Sequence, residues 1–307
     1  MQSYFTPYPD QNITPEVASL LLPLDKVITG WYSNRKVFQS VVHSHPYHEY
    51  ILVESGQALY HVDGSRYELH PGELFLFPPG KVHSGQYNNY DRLILQIDDT
   101  FWRQTLHTTG LTAPEARIPR ELMSFEASAV KKWGIRSIIE RAAVAATIPD
   151  LTHRELMYRC LLVELTLGIG QMIAESHLRL PTATNALAMF ATTYLQAHFK
   201  DPDLTVTQLA RRAYVSREHL SRVFKEYTMQ SVQQYLTGLR MQSCRRDLAA
   251  GKPVLSACLE NGFSNYSSFV KTFRKIYGIT PQEYRGQLNR ALKSASHPAS
   301  IPPEESV

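Results

Sequence analysis

What this chain has little of narrows its class before any motif is read. Its 307 residues hold three cysteines, Cys160, Cys244 and Cys258, and no two form a Cys-x-x-Cys pair. All three fall where helices are predicted, so they are expected to be buried, reduced thiols of a cytoplasmic protein. The N-terminus, MQSYFTPYPDQNITPE, has neither a basic nor an apolar leader segment, and export is not expected. The longest apolar run, Leu161 to Ile173, is too short to span a bilayer and carries Glu164, so no membrane partner is expected. No short-period repeat recurs, and low complexity is confined to a polar tail from Ser294.

What is present is charge unevenly spread. The net charge is +4. Residues 184–293 hold 16 Lys+Arg against 7 Asp+Glu, or +9; residues 1–183 hold 16 against 19, or −3; Glu304 and Glu305 add −2, and −3+9−2 returns +4. A basic half beside an acidic half suits a polyanion-binding domain joined to something else, although a solvated basic surface reads the same way. The length suits two domains, each with enough chain for its own core.

Three patterns follow one another. From Val37 to Ile97, short β-rich runs alternate with turn signals: QSVVHSH, EYILVES, QALYHV, SRYEL, ELFLFP and RLILQI. Asp63-Gly64 is a hairpin signal, and Pro71-Gly72 and Pro78-Pro79-Gly80 mark further turns. Such spacing predicts a small antiparallel barrel or jelly roll. From Met123 to Glu175 the period becomes helical, with Ile135, Ile138, Ile139, Ala142 and Ala146 on one stripe and Leu156, Leu161, Leu165 and Met172 on another. These helices either pack on the barrel or dimerise. LRLPTAT, Leu178 to Thr184, reads as a linker, and the chain beyond it is helical to about Leu292.

That last part carries two helix-turn-helix patterns, Leu204 to Tyr227 and Pro253 to Gly278, joined by one predicted helix from Val232 to Ala249. In the first, Thr205 and Ser216 can cap successive helices. Leu220, Val223, Phe224 and Tyr227 take the core face of the second helix. Arg217, Glu218, Ser221, Arg222 and Lys225 take the opposite face, where they can enter a major groove: Arg to guanine, Glu to cytosine N4, Ser to several bases, Lys to phosphate. The alternative is a surface ion pair between Glu218 and Arg222. In the second pattern Asn265 is the expected cap. Phe269, Phe273 and Ile276 face the core; Tyr266, Ser267, Val270, Lys271 and Lys275 face outward. An outward Val270 either contacts a thymine methyl or is a tolerated surface valine. At 1.5 Å per residue, the joining helix holds the two recognition helices about one DNA turn apart.

The β region carries a second motif. His43-Ser-His45-Pro-Tyr-His48-Glu49 precedes Gly56, and Gly72, Pro78, Gly80 and His83 follow at fixed spacing. Alternate residues of a strand share a face, so His43 and His45 can point together into a barrel. Three imidazoles and a carboxylate suit Fe, Mn, Ni or Zn. The same residues could equally line a polar pocket or brace the barrel mouth. Trp31, Tyr32, Arg35, Tyr50 and Tyr60 supply aromatics and hydrogen-bonding groups that suit a sugar-like effector beside His43, His45, Glu49 and His83.

These spacings resemble the two motifs of the cupin barrel. In cupin enzymes the positions matching His43, His45, Glu49 and His83 bind one divalent metal; the asparagine usual after the last histidine is replaced here by Tyr87. The C-terminal region resembles the AraC/XylS family of bacterial transcription activators over about Ala188 to Gly286. The matching residues include Leu209-Ala210, Ser216, Leu220, Arg222, Phe224-Lys225, Tyr235-Leu236, Arg240, Gly262-Phe263, Phe269, Phe273-Arg274, Gly278, Thr280-Pro281 and Tyr284-Arg285. Met229 stands at a usual glycine, and Ala257, Cys258 and Asn261 at a usual Ile, Ala and Val, which predicts looser packing of the second helix pair.

The resemblances imply an α+β chain. Residues 1–122 would form a cupin-like effector domain, 123–183 a helical dimerisation region and linker, 184–292 the tandem helix-turn-helix domain and 293–307 a polar tail. They imply double-stranded DNA, a small-molecule effector and RNA polymerase as partners, a homodimer, and an activator of a catabolic, carbohydrate-type operon with no catalytic residues and no required cofactor. The rival is a cupin metalloenzyme fused to a DNA-binding domain.

Overall fold

A computed structural model of the chain describes residues 26–34, 38–40, 42–111, 118–175 and 183–287. Arg35, most of the Leu178 to Thr184 linker and the polar tail lie outside them. By its contacts the chain forms two compact units. One comprises Met1–Thr192 with Glu218–Ser231; the other comprises Thr193–Arg217 with Val232–Val307.

The first unit is built on an antiparallel sheet of β1 (Val27–Asn34), β2 (Phe38–Gln39), β3 (Tyr47–Val62), β4 (Ser65–Leu69), β5 (Leu74–Phe77), β6 (His83–Asp98), β7 (Met123–Phe125) and β8 (Ala183–Thr184). Its path runs β1-β6-β3-β4-β8; β2 pairs with β6, and β5 with β3 and β7. This open path is compatible with a jelly roll. The runs EYILVES and QALYHV are one strand, β3, with register shifts between Val53 and Gln57 against β6. Gly56 sits in that bulge at φ 79, where a β-carbon would collide with the carbonyl of Asn89. The Asp63-Gly64 hairpin forms as expected, with φ of 49 and 76, the two positive angles of a type I′ turn.

Alternation along the strands makes two cores. Tyr50, Leu52, Leu74, Leu76, Leu93, Leu95 and Ile97 face a helical layer. It comprises α1 (Asp99–Thr109), α2 (Ala127–Lys132), α3 (Ile135–Ala145) and α4 (Leu151–Ala174). Ile51, Val53, Tyr60, Phe75, Phe77, Tyr87, Tyr90 and Ile94 face the barrel interior. Of the predicted stripe, Ile135, Ile138, Ile139 and Ala142 are buried while Ala146 is exposed, and Trp102 of α1 donates to Thr166 of α4 at 2.8 Å.

Sequence reading missed β1 and α1. Asp98 caps α1 by accepting from Phe101, and Gly110 ends it in the left-handed region. Two expectations are corrected. Met123–Phe125 is a strand, and helix begins only at Ala127. Cys160 is exposed on α4, whereas Cys244 and Cys258 are buried. At 24 residues, α4 is longer than its apolar run suggested. Among the described residues it is the one helix long and apolar enough to cross a membrane, and 50% of its most apolar window is buried in the protein.

The helical region contributes α5 (Ala186–His198), α6 (Val206–Arg212), α7 (Arg217–Thr228), α8 (Val232–Ala249), α9 (Val254–Glu260) and α10 (Tyr266–Tyr277). Thr205 caps α6 in a capping box with Gln208, and Asn265 caps α10 through the Ser268 amide, both as the sequence predicts. In the second unit α9 packs against α8 and α10. Ala257, Cys258 and Asn261 are fully buried there. Asn261 donates to Asp247 at 2.7 Å and to the Ala257 carbonyl at 2.8 Å, a polar network where an apolar side chain would simply pack.

Candidate effector site and nucleic-acid interface

Inside the barrel, His43, His45, Glu49 and His83 converge at 2–4% exposure. His43 and His83 are joined by a β-bridge, and their ring centroids lie 4.2 Å apart. Glu49 pairs in register with Gln96 across β3 and β6. Gln96 donates to Glu49 Oε1 at 2.6 Å, and His45 Nε2 lies 3.0 Å from Glu49 Oε2. His83 Nε2 lies 3.6 Å from that oxygen, and Phe77 stacks on the His83 ring at 4.0 Å.

Tautomers follow from the backbone. His45 Nδ1 lies 2.9 Å from the carbonyl of Tyr47, and His83 Nδ1 lies 2.9 Å from that of Lys81. A carbonyl only accepts, so each Nδ1 carries the proton. Each Nε2 is then turned toward Glu49. Two lone pairs facing each other at 3.0 Å would repel, so this geometry calls for a proton or another cation between His45 and Glu49. Burial works to raise the Glu49 pKa, but the neighbouring His45 and His83 and the hydrogen bonds from His45 and Gln96 outweigh it, leaving Glu49 below the usual carboxylate range. His83 is pushed well below the usual imidazole value by burial and by His43 and His45, with Glu49 opposing. The ligand atoms of His45, Glu49 and His83 lie within 4.8 Å of one another. This donor set, with both imidazoles oriented by carbonyls, fits a divalent metal.

The other expected effector residues divide. Tyr60 is buried in the interior against Phe75, Phe77 and Tyr87. Tyr32 lies in the interior opposite Arg92. Tyr50 instead points into the helical layer, 5.9 Å from Trp102, and is not brought to the histidines. Trp31 pairs with Leu93, which also faces that layer, and is 37% exposed. Both corrections follow from the two-residue period of a strand.

Arg92 and Gln96 went unread in the sequence. Arg92 is 1% exposed, with its guanidinium 5.7, 4.8 and 5.0 Å from the rings of Tyr32, Tyr87 and Tyr90. The signal was available: counting in twos from Gln96 puts Arg92 on the same face.

On the helices, Arg217, Glu218, Arg222 and Lys225 are exposed and Ser221 is half-buried, while Leu220, Val223 and Phe224 are buried. Arg222 donates to His219 at 3.0 Å; among the described residues no ion pair joins it to Glu218. Tyr227 is half-buried rather than fully on the core face. On α10, Tyr266, Ser267, Lys271 and Lys275 are exposed, with Phe269 and Phe273 buried. Val270 and Ile276 are half-buried, so Val270 is less outward than its phase suggested.

Comparison with known proteins adds an independent line. Residues 209–287 match the family model for a helix-turn-helix domain, and residues 37–95 match that for a cupin domain. Regulatory protein PocR of Salmonella typhimurium is 34% identical over 132 residues, 43% of this chain and 42% of PocR. The HTH-type transcriptional regulator ArgR of Pseudomonas aeruginosa is 34% identical over 116 residues, 38% of this chain and 32% of ArgR. The chain thus spans less than half the length of these curated relatives. Among solved structures, ToxT from Vibrio cholerae is similar at 12% identity with a TM-score of 0.40, covering 86% of this chain and 99% of ToxT. The C-terminal domain of AraT from Geobacillus stearothermophilus is similar at 29% identity with a TM-score of 0.33, covering 33% and 85%.

Fold and matched domains define a cupin barrel joined to a tandem helix-turn-helix domain. These are the two domains that the AraC/XylS and cupin resemblances imply, a cupin domain over residues 37–95 and a helix-turn-helix domain over residues 209–287.

Proposed function

We propose that this chain is an effector-responsive transcription activator of a catabolic, carbohydrate-type operon, acting in the cytoplasm with RNA polymerase. The observation that carries the reading is the buried His43, His45, Glu49 and His83 cluster on the same chain as two helix-turn-helix patterns. The barrel interior, with Tyr32, Tyr60, Gln96 and Arg92 added, holds the effector; residues 184–292 hold the DNA. Arg217, Glu218, Ser221 and Arg222 read one groove segment while Lys225 contacts phosphate. Tyr266, Ser267, Val270, Lys271 and Lys275 meet a second. The region 123–183 joins two copies, because Val144 of α3 and Leu151, Leu156 and Leu167 of α4 leave apolar surface exposed.

The barrel senses rather than catalyses, since catalysis does not call for a DNA-binding partner domain. Occupancy then acts through a differential affinity between two arrangements of the chain. His45→Ala and Glu49→Ala are expected to abolish the response of a reporter to the inducing growth substrate. Basal affinity for the target DNA stays within about 1 kcal/mol, since linkage acts only with ligand bound. A normal response in both variants means that the effector does not depend on these side chains.

The metal-binding geometry favours one second reading, a cupin metalloenzyme fused to a DNA-binding domain. His45, Glu49 and His83 would hold the ion, which would supply Lewis acidity. Stoichiometric metal in the purified protein, together with substrate turnover, would establish it.

A further inference from the structure

A groove of about 1000 Å³ lies in the first unit, away from the histidine cluster, and neither domain assignment gives it a role. Its walls are α1, the segment leading into β7, and the last turns of α4. Leu106, Ile118, Met123 and Ile173 form an apolar floor, and Arg103, His107 and Arg120 stand among the lining residues. No carboxylate is among the described lining residues. The volume is at the upper end for small-molecule sites.

Two features make this more than an irregular surface. The Arg103 guanidinium is oriented by two hydrogen bonds to Asp99, at 2.8 and 3.0 Å. Arg120 is exposed and, among the described residues, forms no ion pair or side-chain hydrogen bond. His107, in the last turn of α1, could serve only to balance that helix's dipole. Arg120 lies outside that helix, so that explanation leaves it out.

We propose that this groove binds an amphipathic carboxylate, its apolar body on Leu106, Ile118, Met123 and Ile173 and its head group at Arg120 and Arg103. It is a second ligand site, separate from the barrel interior.

The test is calorimetric titration of the full chain with decanoate below its micelle concentration, with decan-1-ol and decyltrimethylammonium as neutral and cationic counterparts. Saturable binding of one decanoate per chain is expected, at least tenfold tighter than either counterpart. Arg120→Glu should weaken it tenfold or more. Ile173→Glu, which places a carboxylate in the floor, should do the same. Lys131→Glu makes the same change in net charge at an exposed residue outside the lining and should leave it unchanged. Circular dichroism confirms that each variant is folded. Absence of saturable binding, equal affinity for decan-1-ol, or equal weakening by Arg120→Glu and Lys131→Glu overturns the proposal.

Discussion

Tyr214 is 96% exposed and holds left-handed backbone at φ 56, a conformation that costs a residue with a β-carbon roughly 1–2 kcal/mol. Its side chain gains almost no burial to offset that. Tyr214→Gly is therefore expected to raise stability by about 0.5–1 kcal/mol, the gain being trimmed by the freedom glycine adds to the unfolded chain. Urea denaturation with an unchanged slope checks it; a lower midpoint would show that the tyrosine makes a stabilising contact. Met229 has the same φ of 56, which explains why glycine is usual at that position. His61, buried on β3, is lowered to about 4, chiefly by burial, against the pull of the Tyr227 carbonyl. The unfolded chain takes up a proton near 6.5 and the folded chain does not. Stability is thus fully present above 6.5 and is lost as pH falls toward 4. Relative to His61→Gln, the parent should lose about 2 kcal/mol more between pH 7 and 5. Parallel loss in both would place the titration elsewhere. At this scale the histidine cluster was legible because its spacing is periodic. Arg92 was not, because a lone arginine among strand residues reads as solvent-facing.

Among the elements, capped helices were the most legible. The joining helix α8 runs over Val232–Ala249, the range its pattern indicated, and Thr205 and Asn265 cap where their side chains can reach free amides. Strands were less legible. β3 looked like two runs because Gly56 reads as a turn, whereas it relieves crowding in a bulge. α1 escaped because its buried residues, Phe101, Trp102, Thr105 and Leu106, form only a narrow stripe among polar ones. On α4 the buried face, including Leu161, Leu165, Ile169 and Met172, settles one of the two packing roles left open for these helices. Leu156 and Leu167, 59% and 40% exposed, leave the other role available. The double change Leu156→Glu and Leu167→Glu should convert a dimer to a folded monomer, read as a halved mass in light scattering. An unchanged mass would mean that α4 is not the interface.

For the whole molecule, division of labour is written in charge, with a basic region over 184–293 and an acidic one before it. The identity of the effector was not legible, because shape and hydrogen-bond direction inside a barrel depend on residues far apart in sequence, such as Glu49 and Gln96. The central claim is that one chain reads duplex DNA with two recognition helices, α7 and α10. Selection of a randomised duplex library by the full-length protein tests it most directly. The enriched sequences should contain two blocks with centres about 10 base pairs apart. Arg222→Ala should flatten one position of one block, at a cost of about 1–3 kcal/mol, and leave the other block intact. Lys225→Ala should weaken binding to all sequences alike and reduce its salt dependence. Absence of any enriched sequence, or a single block indifferent to Arg222→Ala, would contradict the claim.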